Sequence, residues 1–154
     1  EHTEGREGYV WFNGMEAVQG HAHLSASIRD FDKASFERRK QQIADVAKKI
    51  AAQYPTAKVE YSISDIYSNI SNAIGEDKRA IDLPFEAMTK LGITPKPTPM
   101  RGGTDGAALS AKGLLTPNFF TGAHNFHSQF EFLPVKSFEA SYQVALQLCL
   151  LAAR

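Results

Sequence analysis

The sequence predicts an α/β fold in two parts, an α+β first part over residues 1–70 and an α/β second part over residues 71–154. Three observations carry this. Ala22, Leu24, Ala26 and Ile28 alternate with His21, His23, Ser25, Ser27 and Arg29, the period of a strand with one apolar and one polar face. Phe36, Ile43, Val46, Ala47, Ile50 and Tyr54 recur at helical spacing. The polar stretch SNAIGEDK around Gly75 then separates this region from a helix, a proline-rich connector and a glycine-rich loop.

In chain order, EHTEGREG is a polar loop leading into a strand from Tyr9 to Val18, with Asn13 and Gly14 as a bulge or turn inside it. The strand beginning at His21 follows, and its polar face carries both His21 and His23. A His-x-His pair on a strand is able to bind metal, but without a third ligand in view a solvated face is the simpler reading. Asp32 is placed to cap the next helix, with Phe31 and Phe36 as a hydrophobic staple and Pro55 as the stop. The basic run within that helix is a solvated face. Val59, Tyr61 and Ile63 alternate with Glu60, Ser62 and Ser64, which predicts a third strand leading to Tyr67, Ser68 and Asn69. Strand, strand, helix, strand is most of an antiparallel sheet with a helix on one face, to be completed by a strand and helix upstream.

In the second part AIDLPFEAMTKLG reads as a helix, with Pro84 near its start or at a kink and Gly92 closing it. TPKPTPM has three prolines and is excluded from a central strand, so it is a connector or an edge. LLTPNFFTG reads as a short buried strand. The tail from Ser137 to Ala153 is a helix with Phe138, Tyr142, Ala145, Leu146 and Cys149 as its apolar face, which makes Cys149 a packed thiol.

Lys plus Arg and Asp plus Glu stand at 17 each, so no global field draws the chain to nucleic acid or to an acidic membrane. With a single cysteine no internal disulfide is available, which suits a reducing, cytoplasmic setting. No apolar run is long enough to span a bilayer and no basic-then-apolar leader is present. The chain begins at Glu1 with neither cap nor turn, and is expected to be a piece of a longer protein.

The chemistry is concentrated between Arg101 and Phe132, in RGGTDGAALSAKGLLTPNFFTGAHNFHSQFEF. Gly102 and Gly103 allow positive φ and close approach of a ligand. Asp105, with Thr104 before it, is placed to cap a short helix from Gly106 to Lys112 that ends at Gly113. Arg101 beside that helix start offers a planar fork of donors suited to a carboxylate or a phosphate. On pattern alone the simpler reading is that GGTDG is a tight turn and that His124 and His127 are ordinary loop residues. Nucleotide-binding glycine motifs, HExxH and GxSxG are missing from the sequence.

RGGTDGAALSAKGL, PNFFTGAHNFH and the following EF, together with TEGREGY, SIRDFD and IYSNI, resemble the tripeptide aminopeptidases of the M20 family of dinuclear zinc peptidases. The resemblance covers the chain but only the later part of the family's protein. It implies that residues 1–70 are the second half of a β-α-β-β-α-β lid domain, through whose sheet a homodimer forms. Residues 71–154 are then the last part of the catalytic domain.

It further implies two zinc ions and tripeptide substrates for the whole enzyme. Arg101 becomes the group that grips the peptide's C-terminal carboxylate, with Gly102, Gly103 and Thr104 lining the same pocket and Asn69 as a lid-side contact. His127 becomes a zinc ligand, whereas His124 stands where the family has an aromatic residue. Such a centre needs about five protein ligands and a general base, and all but one come from the part before the lid. No catalytic residue is therefore assigned here, and the isolated chain is expected to be inactive. The competing readings are another M20 amidohydrolase or carboxypeptidase, and a non-catalytic dimerisation or anion-binding module.

Overall fold

The computed structural model describes residues 2–153, as two compact units. One comprises Glu1–Ile66 with Pro99–Gly102, and the other Tyr67–Thr98 with Gly103–Arg154.

The first unit is built on an antiparallel hairpin, β1 (Tyr9–Val18) and β2 (His21–Arg29), paired from Tyr9 opposite Arg29 to Val18 opposite His21. The register slips between Phe12 and Gly14, so the predicted bulge at Asn13 is present, and the Asn13 amide donates to Ser27 Oγ at 2.9 Å. This extra residue resets the alternation. Val10, Phe12, Met15 and Ala17 come to share one face, opposite Ile28, Ala26, Leu24 and Ala22. That apolar face is largely uncovered, with Phe12, Met15 and Leu24 each more than half exposed.

Helix α1 (Lys33–Gln53) begins as predicted, with the Asp32 carboxylate accepting from the Ser35 amide at 2.7 Å. Just before it, the Asp30 side chain is almost fully buried and accepts from the Asp32 amide at 3.0 Å and from Arg39 Nε at 2.9 Å. Gly8 must be glycine, because any Cβ there would collide with this carboxylate. Among the described residues of α1 only Ala44 is buried, and much of the predicted apolar stripe, including Val46, Ile50 and Tyr54, faces solvent.

The predicted strand at Val59–Ile63 is absent from the described residues. Its alternation is real in sequence, but alternation gives faces and not a partner, and no ladder forms there.

In the second unit α2 (Arg79–Lys90) carries Pro84 within it, and α4 (Val135–Ala152) packs against α2. Ala87 and Val144 are fully excluded from solvent, and Leu83, Met88, Ile93, Phe119, Phe120, Leu148 and Leu151 gather round them. Gly92 ends α2 at φ 72°, with the Ile93 amide returning to Met88 O at 2.9 Å. Gly113 ends α3 (Asp105–Ala111) in the same way at φ 93°, with Leu114 returning to Leu109. Both glycine stops agree with the sequence reading.

Three expectations are corrected in this unit. Residues 114–122 form no strand. Pro117 lacks a donor, and Thr116 spends its amide on Ser110 Oγ and its hydroxyl on Leu114 O, so local bonds replace a ladder. The N-cap position of α3 is Thr104, not Asp105, and it makes no side-chain cap; Thr104 Oγ1 accepts from the Asn118 amide at 3.1 Å. On α4 the buried residues are Val144 and Leu151, while Phe138, Tyr142 and Cys149 are exposed. The helix is apolar on most of its circumference, so periodicity alone does not single out the face that packs. No helix among the described residues is long and apolar enough to cross a membrane.

The Asp30–Arg39 pair sets an acid dependence. Burial raises the Asp30 carboxyl, but the Arg39 hydrogen bond, the Asp32 amide and the Arg39 charge outweigh it and hold the group below its ordinary value. Stability from this pairing is complete above about pH 4 and is lost as the pH falls through the lowered native value. Asp30→Asn is expected to cost about 1–3 kcal/mol at neutral pH and to flatten the acid limb of the unfolding profile. An acid limb unchanged by Asp30→Asn, measured by urea unfolding across pH, contradicts the assignment.

Candidate functional site

Arg101 belongs to the first unit, where its guanidinium is held by the N-terminal loop. Nη1 donates to Thr3 O at 2.7 Å, and Nη2 donates to Thr3 Oγ1 at 2.6 Å and to Glu7 O at 3.2 Å. The guanidinium carbon lies 4.7 Å from the centre of the Tyr9 ring, and Arg29 Nη1 donates to the Arg101 carbonyl at 2.8 Å. Nε is the exception, buried with no partner among the described residues. A buried donor left unmade costs about 1–3 kcal/mol, so this nitrogen marks a place where an acceptor is wanted. Arg101 also lines a cleft of roughly 450 Å³ together with Thr3, Tyr9, Val10, Trp11 and Phe12. Gly102 adjoins this region with open space at its Cα, since a Cβ would meet only Arg29 Nη1, at 4.0 Å.

The remaining sequence-predicted residues lie in the second unit. Gly103 has no room for a side chain, because the phenol end of Tyr67 occupies the place a Cβ would take. Asn69 caps the short 3₁₀ turn Ile70–Ala73, its side-chain oxygen accepting from the Ser71 amide at 2.9 Å, and that turn packs on α3. Tyr67 and the residues that hold Arg101 were not singled out from the sequence. Thr3 lies 98 residues from Arg101, and no local pattern reports a contact at that separation.

His127 sits in a loop closed by the bridge between His124 and Phe132, whose backbones exchange hydrogen bonds at 2.9 and 3.2 Å. The His124 ring stacks on Phe132 with centroids 5.1 Å apart. Inside the loop Asn125 and His127 take left-handed φ values of 55° and 63°. Glu131 accepts from the His127 backbone amide at 2.9 Å and fixes the turn, while the His127 side chain is exposed. A non-glycine residue held in this conformation costs about 1–2 kcal/mol.

For metal, the chain by itself offers little: among the described residues no three His, Cys, Asp or Glu side chains gather as a ligand set. His21 and His23 share a strand face with Glu16 opposite His23, and His23 Nε2 lies 3.3 Å from Ser25 Oγ. A dinuclear centre does not fit these residues alone.

No family model matches the chain. Among curated proteins, a peptidase T-like protein of Yersinia pestis is 65% identical over 154 residues and one of Rhizobium meliloti is 56% identical over 153. A peptidase T of Clostridium botulinum is 42% identical over 153 residues. These alignments take in 99–100% of this chain and 38% of each relative, so the chain spans well under half the length of the proteins it matches.

The strained loop makes a prediction about this chain. His127→Gly is expected to raise the unfolding free energy by about 1 kcal/mol, because glycine takes positive φ without a Cβ clash, whereas His127→Ala should not. Urea unfolding of the two variants checks this, and a destabilised glycine variant contradicts the strain.

Proposed function

We propose, since this chain is a relative of peptidase T and peptidase T-like proteins along its whole length, that it is the later part of a zinc-dependent tripeptidase. In this reading the complete protein removes the N-terminal residue of tripeptides, and this chain supplies the substrate-carboxylate site and one zinc ligand. The observation that carries the proposal is the end-to-end alignment with peptidase T, at 42% identity over 153 residues, with the arginine, glycine and histidine motifs inside it.

Residues 1–70 are assigned as the second half of the lid and residues 71–154 as the end of the catalytic domain. The uncovered apolar face of the β1–β2 hairpin supports the lid assignment, because a two-stranded sheet is stable only when such a face is covered. A homodimer through the lid sheet belongs to the same reading. The cytoplasm suits Cys149, an exposed thiol without a partner cysteine in this chain.

Arg101 acts by binding. Its guanidinium meets a peptide's terminal carboxylate through paired charge-assisted bonds, releasing the Thr3 and Glu7 oxygens that hold it in the ligand-free chain. Gly102, Gly103 and Thr104 are assigned to the same substrate pocket, with Asn69 as a further contact. His127 would hold one zinc ion, which, when bound with its partner ion, polarises the scissile carbonyl and lowers the pKa of water. The chain alone, with one such ligand, is expected to be inactive.

Arg101→Ala in the complete enzyme should weaken free-carboxylate tripeptides by about 1.5–3 kcal/mol, with lysine restoring part of the loss. Steady-state kinetics on free and C-terminally amidated tripeptides test it, and equal losses on both remove Arg101 from the carboxylate. His127→Ala should eject one of two zinc ions, while His124→Ala keeps both. Metal analysis decides between them, and full occupancy in His127→Ala overturns the ligand assignment.

A further inference from the structure

We infer that Tyr9 is a positioning residue for Arg101: its ring, lying under the guanidinium, keeps that cation in place for a peptide carboxylate once the Thr3 and Glu7 oxygens have let go. The inference rests on the carboxylate reading of Arg101 above and adds to it the contact that survives the exchange.

Arg101 is held in two different ways. Among the described residues the hydrogen bonds of its guanidinium run to oxygens of the N-terminal loop, Thr3 O, Thr3 Oγ1 and Glu7 O, and these are the bonds a carboxylate replaces. Its other two contacts come from the hairpin. The guanidinium carbon lies 4.7 Å from the centre of the Tyr9 ring, and Arg29 Nη1 donates to the Arg101 carbonyl at 2.8 Å. Attraction of a cation to a ring face uses its charge and requires no N–H, so Tyr9 does not compete with a carboxylate for donors.

The hairpin gives these contacts a firm base, and every residue involved belongs to the first unit. Tyr9 and Arg29 are directly opposed at the first rung of the β1–β2 ladder, and opposed residues present their side chains on the same side of a sheet. One cross-strand pair therefore meets Arg101 at both its ends, ring to guanidinium and guanidinium to carbonyl. The neighbouring residues lock that rung. The Asp30 carboxylate occupies the space over Gly8, and it is tied to the Asp32 amide and to Arg39 Nε. Tyr9 and Arg101 also line the same cleft, which gives a ligand access to the pair.

The test uses the complete, zinc-loaded protein, with steady-state kinetics on trialanine and trialanine amide. Tyr9→Leu removes the ring and Tyr9→Phe keeps it. Trifluorinated phenylalanine at the same position keeps the shape of the ring while withdrawing negative charge from its face. For trialanine, KM is expected to stay at the wild-type value in Tyr9→Phe, and to rise about threefold with the fluorinated ring and about fivefold in Tyr9→Leu. Only binding is lost, so kcat is expected to stay unchanged, and trialanine amide to be cleaved alike by all four forms. Equal KM for trialanine with the plain and the fluorinated ring overturns the role of Tyr9. A Tyr9→Leu loss that persists undiminished in the Arg101→Ala background overturns it as well, and either result leaves the carboxylate reading standing. Arg101→Ala losses that are equal on the two peptides overturn both.

Discussion

The contact of Ala87 with Val144, both sealed from solvent, is what the second unit depends on. Ala87 is small, and this lets α2 approach α4 closely enough for Leu83, Met88, Leu148 and Leu151 to close around the pair. The stretch 114–123 has no ladder of its own and is held through side chains instead. Phe119 and Phe120, edge-to-face with each other at 6.2 Å, pack on the core, and Ser141 donates to the Phe120 carbonyl at 3.0 Å. The histidine loop begins directly after this stretch. Its strained turn therefore hangs from a packed core and a single bridge, not from a sheet.

The opposing constraint is uncovered surface. Apolar side chains stand bare within each unit: Phe12, Met15 and Leu24 on one face of the hairpin, and Phe138, Tyr142 and Leu146 along α4. Soluble proteins seldom leave such contiguous faces bare. The peptidase T-like relatives are longer, this chain matching 38% of each.

What was legible in the sequence was local chemistry. Asp32 as a cap, the bulge at Asn13 and the glycine stops at Gly92 and Gly113 each follow from one residue's conformational needs, and each is found. The expected strands at Val59–Ile63 and within 114–122 failed because a strand needs a partner, which alternation does not encode. The face of α4 was misassigned because a helix with apolar residues on most of its circumference has no unique stripe. In the candidate site, the residues were named through motif resemblance. The grip of Thr3 and Glu7 on Arg101, and of Tyr67 on Gly103, was not, since both join segments far apart in sequence.

The central claim is that Arg101 exchanges its own-chain oxygens for a peptide carboxylate. Its unpartnered buried Nε is the physical reason to expect the exchange, since the ligand-free arrangement leaves one of the guanidinium's donors unused. The most direct measurement is a crystal structure of the complete, zinc-loaded protein with a tripeptide analogue that resists cleavage. The account predicts the analogue's terminal carboxylate within hydrogen-bond distance of the Arg101 guanidinium, with Thr3 released and zinc on His127. A carboxylate bound elsewhere, with Arg101 still fastened to Thr3 and Glu7, would contradict it.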